Sequence, residues 1–106
     1  MNKKKPLETK LQSKVMNYIR SNYSGSVVFK LEKASVNGVP DIYASIPEYG
    51  SIWIEMKRDK SHKPSPDQIA MIARLNAADT KAIVVHDWEE WMELNSEIKD
   101  KIGSVS

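Results

Sequence analysis

Pro40-Asp41-Ile42-Tyr43-Ala44-Ser45-Ile46 and, after a turn at Tyr49-Gly50, Ser51-Ile52-Trp53-Ile54-Glu55-Met56-Lys57 read as two successive β-strands. Side chains alternate between the two faces of a strand, so parity sorts them. Ile42, Ala44 and Ile46 share one face of the first, and Ile52, Ile54 and Met56 share one face of the second. Asp41, Tyr43 and Ser45, and likewise Trp53, Glu55 and Lys57, fall opposite. The tight connection makes the strands antiparallel neighbours with their apolar faces on the same side. Asp41 opens its strand and Glu55 nears the close of the next, so both carboxylates come to the same end of the same face.

Upstream, residues 7–21 carry Leu7, Leu11, Val15 and Ile19 at four-residue intervals, the stripe of an amphipathic helix. Ser24-Gly25 breaks it, and Ser26 to Lys33, with Val27, Val28, Phe29 and Leu31, reads as a strand. Asn37-Gly38 turns the chain into Pro40. Downstream, Arg58 to Lys63 is a lysine-rich loop. Ser65-Pro66-Asp67-Gln68 is a helix start: serine as N-cap, proline first, glutamine three residues after the cap. That helix runs to about Ala78. Ala82 to Val85 is a short buried strand, and Asp87 caps a last helix with Glu90 closing the box. The order is helix, three strands, helix, strand, helix, an α/β arrangement without internal repeats, and the final Gly103 to Ser106 is expected to fray.

A chain of 106 residues suits one domain, residues 1–106, with a basic tail over 1–6. Apolar residues are 41% and charged residues 28%, the balance of an ordinary globular protein. Cysteine is absent, which excludes disulfides, thiolate zinc sites and a cysteine nucleophile. No apolar run approaches the roughly 20 residues of a membrane span, and Lys3-Lys4-Lys5 is not followed by the apolar stretch of a signal peptide. A cytoplasmic protein is the expectation. Net charge is +2, unevenly spread: residues 87–101 hold six acids against two lysines, leaving the rest of the chain at +6. A basic body with an acidic tail helix suits nucleic-acid binding.

Two acids side by side repel, each raising the other's pKa, unless a cation lies between them. Mg²⁺, a hard ion that takes oxygen ligands and retains water, answers that need. Lys57 projects from the same face and would hold water or offset charge on a phosphate. The competing reading is a solvated strand face with a weak ion pair.

Pro40-Asp41, thirteen residues, then Glu55-x-Lys57 resembles the PD-(D/E)xK nuclease superfamily, and more narrowly a stand-alone, phage-like VRR-NUC (virus-type replication-repair nuclease) domain. The resemblance runs from Glu8 to about Val85. Glu8 with Gln12, Gly38-Val39-Pro40-Asp41, Ile54-Glu55-Met56-Lys57 and Ser65-Pro66-x-Gln68 carry it. It implies a restriction-endonuclease-like core with a mixed four-stranded sheet flanked by helices. It also implies that Asp41 and Glu55 bind Mg²⁺ or Mn²⁺ with the Met56 carbonyl, that Lys57 is catalytic, that Glu8 reaches the metal or its waters from the first helix, and that Gln68 lines the site. Met56 stands where a β-branched residue is more usual, a change that should touch packing only. Gln68 fits equally as the partner of the Ser65 cap, and Glu8 as an acid favoured by the helix dipole.

The activity implied is an endonuclease that hydrolyses DNA by in-line attack of water, leaving 5′-phosphate and 3′-hydroxyl ends. Branched substrates such as four-way (Holliday) junctions in phage replication and repair, and a homodimer, follow from the resemblance alone. Arg58, Lys60 and Lys63, with Lys30 and Lys33, are the expected DNA contacts, lending affinity without sequence specificity. His62 reads as a loop residue and His86 as structural. Tyr43 and Trp53 either stack on a base or pack on the first helix. One of Trp88 and Trp91 belongs to the core. Two rivals remain: a sequence-specific restriction-type endonuclease, disfavoured by the short chain, and a non-catalytic binding module of the same fold.

Overall fold

The computed structural model describes residues 7–32 and 34–104. Its elements are α1 (Leu7–Asn22), β1 (Val27–Lys30), β2 (Ile42–Ile46), β3 (Gly50–Met56), α2 (Pro66–Ala77), β4 (Lys81–Val85) and α3 (Trp88–Gly103). This is the expected order. Lys33 and Lys3 to Lys5 lie outside the described residues, as do residues 105–106.

The two central strands pair antiparallel, with Ile42 opposite Ile54 and Tyr43 opposite Trp53. Among the described residues four strands form one sheet in the order β1-β2-β3-β4, with β1 antiparallel to β2 and β4 parallel to β3. A parallel neighbour needs a crossover, and α2 supplies it. Register then aligns the faces. Val28, Ile42, Ala44, Ile46, Ile52, Ile54, Met56 and Val85 form one apolar core with Val15, Met16 and Ile19 of α1 and Trp91, Leu94 and Ile98 of α3. Two helices therefore cover one face. Helix α2 sits on the other, against β4, and none of its residues is buried.

Several ends differ from the sequence reading. Strand β1 stops at Lys30, after which one bond, Leu31 N–H to the Asp41 carbonyl at 2.6 Å, is the last rung before the chain leaves. Strand β2 begins at Ile42, because Pro40 has no N–H to give a ladder. Gly103 ends α3, which Ser104 caps by donating its N–H to the Asp100 carbonyl. The Asp87 cap accepts from Glu90 N–H at 2.8 Å, but the expected box is not closed. The Glu90 carboxylate instead takes the His86 N–H at 2.7 Å and meets His86 Nδ1 at 2.9 Å.

Trp91 is the core tryptophan, and Trp88 flanks it with the Lys14 ammonium 4.2 Å above its ring. Asn95 is buried yet satisfied, accepting from Tyr23 and donating to the Tyr18 hydroxyl at 2.9 Å, so a polar link joins α1 to α3.

Gly38 fixes how the Asp41 segment meets α2. Its φ is +84°, and a Cβ there would lie 2.3 Å from the Asp67 carbonyl oxygen. Only glycine permits both the left-handed backbone and the close approach. Gly38→Ala should therefore cost about 1–3 kcal/mol in urea unfolding. A variant as stable as the parent would show that the loop can draw back from the helix freely.

Candidate functional site

Asp41, Glu55, Lys57 and Gln68 meet at one end of the sheet, on the face away from the core. Asp41 stands just before β2, where its Oδ2 accepts the Met56 N–H at 2.9 Å, so the acid is pinned to the neighbouring strand's backbone. Glu55 is 2% exposed, which makes it a buried acid in need of partners. Its Oε2 accepts from Gln68 Nε2 at 2.9 Å and faces Lys57 Nζ at 3.5 Å. Its Oε1 is buried with no hydrogen-bond partner. Lys57 lies one residue past β3 and is held by its own N–H to the Val85 carbonyl at 3.0 Å. A cleft of about 230 Å³ opens beside Asp41, lined also by Leu31, Glu32 and Gly38.

Gln68 plays both of the parts between which the sequence left it. Its Oε1 accepts the Ser65 N–H at 2.8 Å, its own N–H donates to Ser65 Oγ at 3.2 Å, and its Nε2 is left free to reach Glu55. The capping box thus aims the amide at the site.

The electrostatics follow from that placement. Burial first, and the Asp41 charge second, push the Glu55 carboxyl from 4.5 up to about 7, while Lys57 pulls it back down. Buried Glu55, with one oxygen unpartnered, beside half-buried Asp41 is a donor set that fits a hard divalent cation. Oxygen ligands are present, and the raised proton affinity of Glu55 is what a second positive charge would relieve. Among the described residues no group of three or more His, Asp or Glu residues is placed to hold a metal ion. Glu8 is half-buried in the first turn of α1.

The basic loop is partly self-neutralised. Lys60 lies 3.9 Å from both Asp87 and Glu90, and Lys30 is 3.8 Å from Glu32. Arg58 and Lys63 are exposed. His62 is exposed and turned to Asp59 at 2.9 Å, away from the acids, as a loop residue. Tyr43 and Trp53 do not pack on α1. They sit on the sheet face away from α1, edge to face at 4.8 Å, and Phe29 continues the row, tilted, at 5.4 Å from Tyr43. Sequence parity had placed Tyr43 and Trp53 with the acids, but Phe29 joins them only through the register of β1.

No family model matches the sequence, and no curated protein does. Solved structures do match. One named "VRR_NUC domain" superposes with a TM-score of 0.77 at 23% identity, covering 87% of this chain and 97% of that one. Another, named "VRR_NUC domain protein", gives 0.75 at 21% identity, covering 92% of each. The fold is that of a VRR-NUC domain. The α-β-β-β-α-β-α order with a mixed four-stranded sheet is the one expected. Identity this low fixes the path of the backbone, so the chemistry of this VRR-NUC fold rests on its own side chains. Among the described residues no helix is long and apolar enough to cross a membrane.

The raised Glu55 pKa sets a pH dependence. Between pH 4.5 and 7 the folded carboxyl keeps a proton that the unfolded one has lost, so stability falls as pH rises across that window and is flat above it. Without divalent metal, the wild type should therefore lose roughly 1–3 kcal/mol relative to Glu55→Gln between pH 4.5 and 7.5. Urea melts at several pH values measure it. A difference that stays constant with pH would mean that Glu55 titrates as an ordinary carboxyl.

Proposed function

We propose that this chain is a Mg²⁺- or Mn²⁺-dependent DNA endonuclease, with Asp41 and Glu55 as metal ligands and Lys57 as the catalytic amine. The observation that carries the reading is the unpartnered Oε1 of buried Glu55 in a site shared with Asp41 and Lys57. A solvated strand face, the competing reading, does not bury an acid at 2% exposure.

The Met56 carbonyl is the third ligand in this reading. Glu8, in the first turn of α1, reaches the metal or its waters in this reading. A divalent cation, when bound, would supply Lewis acidity to a phosphate oxygen and to water. Lys57 hydrogen-bonds the phosphate through its ammonium and offsets the charge that builds there. Gln68 holds Glu55 Oε2 through its amide, which leaves Oε1 for a cation. The water oxygen bonds phosphorus as the bond to the 3′-oxygen breaks; the water gives up one proton to solvent and the 3′-oxygen takes one from solvent, leaving 5′-phosphate and 3′-hydroxyl ends.

Branched DNA such as a four-way junction is the proposed substrate, with Arg58, Lys60, Lys63 and Lys30 as its contacts. A cleft of about 200 Å³ between β4 and α3 is lined by Glu90, Glu93 and Glu97. A homodimer suits two-strand cleavage, and α2 offers it an apolar surface: Ile69 is 56% exposed on a helix with nothing buried. A cytoplasmic setting, in the host where the chain is phage-encoded, completes the proposal.

Linear, flap and four-way DNA of matched sequence, incubated with Mg²⁺, Mn²⁺ or chelator, test the activity. Asp41→Ala and Lys57→Ala should each lower cleavage by about a hundredfold or more while leaving the fold intact. Asp41→Ala cutting at the wild-type rate would falsify the metal site. Equal cutting of linear and branched DNA at a fixed sequence would favour the restriction-type alternative. Lys60→Ala combined with Lys63→Ala should weaken DNA binding and flatten the slope of log affinity against log salt by about 2. An unchanged slope would return that loop to ordinary surface.

A further inference from the structure

The register of the sheet builds something beside the acids that hydrolysis itself does not require. Phe29 of β1 lies opposite Tyr43 of β2, which lies opposite Trp53 of β3, so three rings form a row on the face that α2 shares, Tyr43 and Trp53 half-buried. Helix α2 leans on β4 and leaves the β1 side of this row open: Phe29 is 47% exposed and Val27 beside it 55%. Along the strands the row is one side-chain repeat, about 7 Å, from Asp41 and Glu55. A nucleotide next to one whose phosphate lies at the acids would have its base over these rings.

The edge of β1 does not invite a protein strand. Leu31 and Asp41 form a bonded rung, so the alternate carbonyl of Val28 points outward, and the Arg20 guanidinium occupies it at 3.1 Å. An arginine on the outermost carbonyl blunts strand pairing and at the same time sets a cation along the rim of the aromatic row. Lys57 sets another at its acidic end. Rings flanked by cations match the chemistry of single-stranded nucleic acid, where stacking is sequence-tolerant.

We propose that the Phe29–Tyr43–Trp53 row is a stacking platform for unpaired nucleobases, so that the substrate is DNA carrying a single-stranded stretch beside the scissile phosphate. The inference rests on the nuclease reading for its placement and deepens it by naming the feature of the branch that is recognised: unpaired bases, not the junction's shape.

Binding to metal-free protein tests it apart from turnover. The probes are a 16-nucleotide oligo(dT), an abasic strand of the same length and charge, and a blunt duplex, with chelator present. Tryptophan fluorescence should be quenched by oligo(dT) but not by the abasic strand, and Trp53→Phe should remove most of the quenching. The abasic strand should bind about tenfold more weakly. Phe29→Leu, which keeps apolar bulk but loses the ring, should weaken oligo(dT) about tenfold and leave abasic binding unchanged, a selectivity that general damage to the fold would not produce. Equal affinity for oligo(dT) and the abasic strand would overturn the platform, as would equal losses on both in Phe29→Leu. A variant that turns a dimer into a monomer in sedimentation, with oligo(dT) affinity intact, would overturn it in favour of an interface between copies. Intact stacking with no cleavage of any DNA would remove the nuclease reading and leave the platform.

Discussion

Glu55 is a carboxylate in a dry place, and much of the surrounding structure answers that one fact. Taking an unpaired charge out of water is among the costliest things a fold can do. Here the cost is only partly offset: Lys57 and the Gln68 amide serve one oxygen, and the other has no partner. Asp41 makes matters worse by adding like charge on the same face, yet it is held there by a backbone N–H at 2.9 Å. A polar face serving only to meet solvent would have no reason to hold two acids together in this way. Stability lost in the ligand-free protein is affinity gained by whatever cation relieves it, because binding to the folded state alone shifts the equilibrium.

The scaffold around the acids is correspondingly over-determined. Glu55 comes from β3, Asp41 from the approach to β2, and Gln68 from the first turn of α2, three segments with no covalent reason to keep register. Two local devices tie them. The Ser65 capping box fixes the Gln68 rotamer, so a motif that starts a helix also points an amide at the acid. Gly38 lets the segment leading to Asp41 touch the backbone of Asp67. Each device is cheap for local structure and also positions a side chain of the site.

Period-two alternation is a geometric property of the chain, so the faces of β2 and β3, and with them the meeting of Asp41 and Glu55, could be read from sequence. The helix-start signal at Ser65 was equally legible. Other features depend on groups far apart in the chain, and no local pattern announces them. The Tyr23–Asn95–Tyr18 link joins positions more than seventy residues apart. Glu90 passes over the Asp87 N–H for His86 because the imidazole lies beside it as a second partner. The site of Tyr43 and Trp53 was open between first helix and bare face, since parity names a face but not what covers it. Phe29 was invisible as their neighbour, because only the pairing register of an edge strand sets it in line.

The uneven covering of the sheet gives the last step. Two helices on one face supply the core, and burying Val15, Ile19, Trp91 and Ile98 there leaves α2 little packing work to do. Helix α2 can then stand off to the β4 side, touching the site mainly through Gln68. The remaining half-face, from Asp41 to Phe29, is free of the core's packing demands and borders the acids directly. An edge strand so exposed is ordinarily a hazard, since its open groups and apolar side chains recruit other chains. Arg20 on the Val28 carbonyl takes up one of the edge's main-chain acceptors and leaves the rings in view. A partly blunted edge beside an open aromatic row suits a surface for flat, stackable ligands better than one for another strand.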